Sequence, residues 1–302
     1  MMFAMITPAL ITGAVVGRMR FKALFSFIAL WSFLVYYPMA HMVWGEGGFL
    51  AAIGSVDFAG GNVVHISSGV SALVLATYLG RRKGYEKTSY RIHNIPFVVL
   101  GASLLWFGWF GFTPGSQLAV ATAADRTAVS HVFLTTTLAA VAGGIATMCV
   151  SWIKYGKPSF SLTLNGILAG LVGITAGCDI VSPAGAVVIG LVCGTVLVFA
   201  IEFIDTRLHI DDPVGASSVH GVCGILGTLM TGLLAVDGGL MYSGDLSLLG
   251  AQCMGIICID AWAAASGCLM FYAIKKIAGL RVDKRVEEEG LDIYEHGESA
   301  YN

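Results

Sequence analysis

Two histidines, His65 and His220, hold the same place in a stretch that the chain contains twice. The first copy, Asp57 to Gly69, reads DFAGGNVVHISSG, and the second, Asp212 to Gly224, reads DPVGASSVHGVCG. Each opens on an aspartate, places its histidine eight residues on, and sets a glycine four beyond. At about 1.5 Å per helical residue, each histidine is expected roughly 12 Å below its aspartate. Both copies open long apolar runs, where an ionisable side chain is costly and usually marks a substrate or proton path. Two facing imidazoles there have three chemistries open to them. They can bridge helices as satisfied polar groups, pass a proton by donating and accepting together, or ligate a haem in a membrane oxidoreductase. The small residues around both (Gly60, Gly61, Ser67, Ser68, Ser217, Ser218, Gly221) favour a narrow lumen over the gap a porphyrin needs.

The elements that must carry these histidines are membrane helices. The chain is 56% hydrophobic and 12% charged, which excludes an ordinary soluble domain. Apolar runs fall at approximately 2–16, 23–43, 56–80, 94–113, 127–153, 159–177, 182–204, 213–236 and 247–274. Eight of them have the roughly 20 residues a spanning helix needs, and the first is short. The 39 glycines suit helices packed backbone to backbone in lipid. The net charge of −2 and the lack of a basic array speak against nucleic acid. The seven cysteines are scattered, with no CxxC pair, and read as small buried hydrophobes. No metal or cofactor set is evident apart from the haem alternative.

The connections set the orientation. Taken alternately, one set of loops and the tail hold sixteen of the seventeen Lys and Arg residues, from Arg18, Arg20 and Lys22 to Arg281, Lys284 and Arg285. The opposite set holds Arg126 alone. The basic side is therefore expected to be cytoplasmic. His65 then descends from the outer face and His220 rises from the inner one, so the repeats are inverted and the histidines converge near the midplane. The expected fold is an all-α polytopic membrane bundle of about nine segments over 1–276, with a polar cytoplasmic tail over 277–302.

Aromatic residues crowd the outer ends of the helices. Leu104 to Ser116 reads LLWFGWFGFTPGS, Trp44 ends the span in HMVWGEGG, and Phe3 lies in MMFAMITPAL. Such residues form interfacial belts. Phe112, followed by the breaker Pro114-Gly115 and then Ser116, also offers an aromatic face beside a hydroxyl, a combination that binds small cations.

The segments MMFAMITPALITG, AHMVWGEGGF, DFAGGNVVHISSG, WFGWFGFTPGS, DDPVGASSVHGVCGILGTL and the tail GLRV…EEEGLDIYEHGESAY resemble the ammonium transporter (Amt) family over essentially the whole chain. The resemblance implies eleven membrane helices in a full-length member, a homotrimer with one pore per subunit, and no enzymatic activity. This chain matches from the third helix onward and is read as an N-terminally truncated member. By that resemblance Trp44, Ser116 and Phe3 form the outer ammonium site, and Phe3 and Phe112 are the stacked gate. His65 and His220 line the pore, and Asp57 supports the outer site without lining it. Thr113 and Gly17 depart from the family pattern, where asparagine and glutamate are usual. The implied mechanism is capture of ammonium, deprotonation, and passage of ammonia between the histidines. The tail is implied to pack under a neighbouring subunit and to help dock a PII-type signalling protein. Two alternatives are the haem-binding subunit and a non-transporting truncated product. Expressed alone, residues 1–302 are expected to be unstable or inactive until two upstream spans are restored.

Overall fold

The computed structural model describes residues 1–85, 87 and 92–301, so Arg91, one of the basic loop residues counted above, lies outside the described set. Apart from two isolated bridges, Met19 with Arg281 and Val181 with Ala235, every regular element among the described residues is helical. Seven helices are long and apolar enough to cross a membrane: Phe21–Ala52, Gly61–Leu79, Ile95–Gln117, Ala123–Tyr155, Pro183–Arg207, Ser217–Leu234 and Ser247–Ile277. Two shorter apolar helices, Met2–Val15 and Phe160–Ile174, accompany them.

Within these spans we number α1 Met2–Thr12, α2 Phe21–Trp31, α3 Tyr37–Trp44, α4 Ser67–Leu79, α5 Ile95–Phe112 and α6 Ala123–Tyr155. They continue as α7 Phe160–Ile174, α8 Pro183–Glu202, α9 Cys223–Leu234, α10 Ser247–Ile277 and the short α11 Lys284–Glu289 of the tail.

Helix starts follow the local chemistry. Thr122 and Asp125 form a reciprocal capping box at α6, while Ser182 with Pro183, Ser159, and Asn94 with Pro96 open α8, α7 and α5. The run 159–177 was expected to be a full span, but α7 stops at Ile174. The carbonyls just beyond it are used elsewhere: Thr175 and Ala176 accept from Ala59 N (3.2 Å) and Phe58 N (2.9 Å) of the first repeated stretch. The helix end is thus tied to the segment that presents His65.

Two apolar cores are present. One joins α2, α4 and α10 through Phe27, Trp31, Leu75 and Phe271; the other joins α6, α7 and α8 through Ala139, Leu171 and Ile189. The histidine segments contribute to both, with Val63 and Ile66 in the first and Val219 in the second. The histidines therefore lie on the seam between the two packed halves.

Candidate functional site

Neither histidine sits on the uninterrupted helix that a rise of 1.5 Å per residue assumes. Asp57 precedes its helix, which begins as a π turn at Gly61–Ile66; His220 lies in a matching π turn at Ser217–Val222. His65 lies four residues into that helix, about 6 Å below its first residue. The reason is the aspartate itself. Asp57 Oδ1 accepts from Gly60 N (2.9 Å) and Gly61 N (2.5 Å), and Oδ2 from Asn62 N (2.9 Å) and Val63 N (3.0 Å). One carboxylate thereby satisfies the backbone donors of the first turn, which would otherwise be orphaned. Gly60, at φ +102°, makes the bend that lets the chain wrap around it. Asp212 does less: its Oδ2 accepts from Ser217 N at 2.7 Å.

The two rings meet. His65 Nδ1 and His220 Nδ1 are 3.3 Å apart, with ring centroids at 5.3 Å and planes inclined by 14°. Both are buried. A contact between two Nδ1 atoms requires opposite tautomers, one ring donating and the other accepting. The free nitrogen of each ring is then Nε2. His65 Nε2 has no partner among the described residues and is sealed from solvent. The close approach depends on glycine: a Cβ on Gly69 would lie 2.8 Å from the carbonyl carbon of His220 and closer still to Gly221. A porphyrin between these rings is excluded by the same geometry. Axial imidazoles hold an iron between their coordinating nitrogens, whereas these rings meet edge to edge with their Nδ1 atoms already in hydrogen-bond contact and no gap between them.

Above His65 runs a ladder of aromatic rings. Phe112 is 5.5 Å from His65, Phe3 is 4.4 Å from Phe112, and Trp44 is 5.7 Å from Phe3. Trp44 Nε1 donates to the Asp57 carbonyl at 2.7 Å. Asp57 therefore fixes both the tryptophan and the histidine helix without its carboxylate reaching the aromatic faces. Ser116 Oγ, read from sequence as a free hydroxyl, donates to Phe112 O at 2.9 Å. Its oxygen lone pairs stay available to accept from a cation.

Trp109 completes the site and was missed in the sequence. It stacks on His65 at 5.3 Å and 11°, touches Phe112 at 5.0 Å, and is nearly fully buried. The signal was its spacing, three residues before Phe112 and so on the same helical face. Phe3, His65, Trp109 and Phe112 line one cavity of about 540 Å³, walled by α1 and α5. Another, of about 600 Å³, is lined by Arg82, Tyr85, Asp205, Asp211, Asp212 and Ser218. Ser218 of the second repeated stretch is among its lining residues.

The tail is docked against loops of its own chain. Val282 N donates to Arg18 O, Arg20 N to Leu280 O, and Arg281 to Leu79 O. Arg281 also grips Glu287 in two-pronged fashion at 2.7 and 2.8 Å, and Lys83 pairs with Glu288. Arg82 holds Asp211 at 2.7 Å, whose carbonyl accepts from the buried Arg18. Burial opposes ionisation of Asp211, but the Arg82 hydrogen bonds and the charges of Arg82 and Arg18 outweigh it and hold its pKa below the ordinary value.

The family model described as Ammonium Transporter Family matches residues 1–301. The ammonium transporter Amt1 of Archaeoglobus fulgidus is 42% identical over 306 residues, covering 100% of this chain and 76% of the relative. Ammonium transporter 1 of Dictyostelium discoideum is 40% identical over 311 residues, covering 100% of this chain and 66% of its own length. Among solved structures, a sensor Amt protein superposes with a TM-score of 0.90 at 35% identity, over 97% of this chain and 75% of that one. Candida albicans Mep2 gives 0.86 at 33% identity, over 94% of this chain and 65% of that one. The chain thus spans about two thirds to three quarters of the length of these relatives.

Proposed function

The chain belongs to the ammonium transporter family, and we propose on that footing that the protein moves ammonium across a cell membrane as ammonia plus a relayed proton. The observation that carries this reading is the unbroken ladder Trp44, Phe3, Phe112, His65, His220, which ends in two imidazoles within hydrogen-bonding distance. Ammonium is captured at the outer end against Trp44 and Phe3, with Ser116 Oγ accepting a hydrogen bond from it. Aromatic faces replace part of its water shell, but the apolar cavity beneath offers nothing to solvate a charge, so the ion gives up a proton on entering it, and that proton passes to His65 Nε2. Ammonia passes the stacked Phe3–Phe112 gate and reaches His65 Nε2.

The paired tautomers supply the route for the proton. A proton taken at one Nε2 releases another across the Nδ1–Nδ1 contact and out through the opposite Nε2. Both rings must then reset their tautomers before the next cycle. The acidic cavity lined by Asp205, Asp211, Asp212 and Ser218 favours the re-formed cation.

The topology belonging to this mechanism is nine segments in this chain, inverted repeats, and a tail on the cytoplasmic side. The assembly is a homotrimer, and the docked tail is the surface offered to a PII-type partner. The test is uptake of ammonium or methylammonium into liposomes by His65→Ala and His220→Ala. Both should lose proton-coupled transport while remaining folded. Parental uptake by both variants at every pH would remove the relay.

A further inference from the structure

α10 lies outside both repeated stretches, and yet one of its side chains is bonded to the residues just before the first and to the helix that continues the second. Gln252 is fully buried on α10. Its Oε1 accepts from Val56 N at 2.8 Å and from Ser55 Oγ at 3.0 Å. Its Nε2 donates to Val56 O at 2.8 Å and lies 3.4 Å from Thr228 O of α9. A primary amide has two donors and one acceptor oxygen, so this group is used to capacity. It pairs with Val56 as another backbone would, in a segment with no regular structure of its own. One turn further on, Gly255 leaves room for the same segment. A Cβ there would lie 2.7 Å from Ser55 Oγ and 3.2 Å from Asn62 Nδ2.

Val56 adjoins Asp57, and Asp57 does two things at once. Its carbonyl takes the Trp44 indole, and its carboxylate caps the turn that carries His65. We propose that Gln252 and Gly255 of α10 are positioning residues for the outer mouth: they hold Val56 so that Asp57 sets the spacing between the Trp44 ring and the His65 helix. The proposal deepens the transport reading and rests on it for its kinetic arm alone. Loss of the clamp frees Val56 to move and slackens the Trp44 anchor. The histidine contact, held by Gly69 against Gly221, is left in place.

Three variants test this. Gln252→Leu keeps the volume and removes every bond. Gln252→Glu keeps the acceptor for Val56 N and Ser55 while losing the amide donor to Val56 O. Gly255→Ala pushes the segment away without touching Gln252. In the detergent-solubilised chain, backbone hydrogen exchange over residues 60–63 should quicken about tenfold in Gln252→Leu and less in Gln252→Glu, with exchange in α6 unchanged. In liposomes the half-saturation concentration for methylammonium should rise about three- to tenfold, the equivalent of one or two lost hydrogen bonds, at an unchanged maximal rate. Unaltered exchange over 60–63 in both Gln252→Leu and Gly255→Ala overturns the proposal. So does a fall in maximal rate with half-saturation fixed, because a residue that only stabilises the bundle would act that way. If the parent chain does not transport, the exchange result still decides the positioning claim, and the failure belongs to the transport reading.

Discussion

Gly69 and Gly221 face one another across the histidine seam, but alanine should be tolerated at only one of them. A Cβ on Gly69 would fall 2.8 Å from the carbonyl carbon of His220 and nearer still to Gly221 N and Cα. Carbon atoms settle at about 3.5–4.0 Å, so the backbones must separate by about 1 Å. The Nδ1–Nδ1 contact starts at 3.3 Å, and that displacement takes it past 4 Å, outside hydrogen-bonding range. A Cβ on Gly221 meets nothing closer than Gly69 C at 3.4 Å and Cα at 3.5 Å, which is ordinary contact. Gly69→Ala should therefore cost about 1–3 kcal/mol as overpacking and suppress proton-coupled flux. Gly221→Ala should remain close to the parent in both. The assays are thermal unfolding in detergent and methylammonium-driven current in liposomes. Equal behaviour of the two variants, or Gly69→Ala with full current, would refute the view that backbone contact at this point sets the imidazole distance.

Two other perturbations probe the ends of the proposed conduction path. Trp44→Leu removes a cation–π face of about 0.5–2 kcal/mol, so half-saturation should rise from a few-fold to tens-fold, and Ser116→Ala should act in the same direction. Unchanged concentration dependence in both would reduce these residues to an interfacial belt. On the opposite face, the pKa of Asp211 is depressed in the folded state. Its stabilising contribution is complete above the unfolded carboxylate value of about 3.9 and is lost as pH falls through the lower folded value. Asp211→Asn should thus lower the unfolding temperature at neutral pH and flatten its dependence below about pH 4. A parallel shift at every pH would show that Arg82 does not read the charge of Asp211.

Much of this architecture was legible because it rests on counts and spacings. Nine apolar runs and a sixteen-to-one division of basic residues are properties of the sequence alone, and all nine runs became helices, seven of them long enough to cross a membrane. Phe3, Trp44 and Phe112 were grouped only through the resemblance; in the structure Phe3 touches both other rings. Side-chain identity alone did not separate Trp109 from its neighbours. In LLWFGWFGF every position is apolar or small, so an aromatic stacked on His65 looks like one facing lipid. Trp106, one turn earlier, is only partly buried and makes no ring contact with the histidine. Gln252 was missed for a different reason: its partners, Ser55 and Val56, lie nearly two hundred residues away.

The π turns were the least visible feature, and they explain why the repeat is built as it is. Hydrogen bonds from i to i+5 leave no signature in residue spacing, and such wide turns tend to occur at functional positions. Both histidines sit inside one, and each turn begins where an aspartate of the repeated stretch bonds to backbone N–H groups. In an ordinary α-helix the aspartate would occupy a helical position eight residues back, and the histidine would sit two turns deeper. With the aspartate outside the helix, the convergence of the rings does not follow from depth along two helices alone. It comes from the seam between the two cores, where Gly69 and Gly221 let the backbones touch. The repeated aspartates, histidines and glycines are thus three parts of one device: a cap that starts the wide turn, a ring that the turn presents, and a gap that lets the two rings meet.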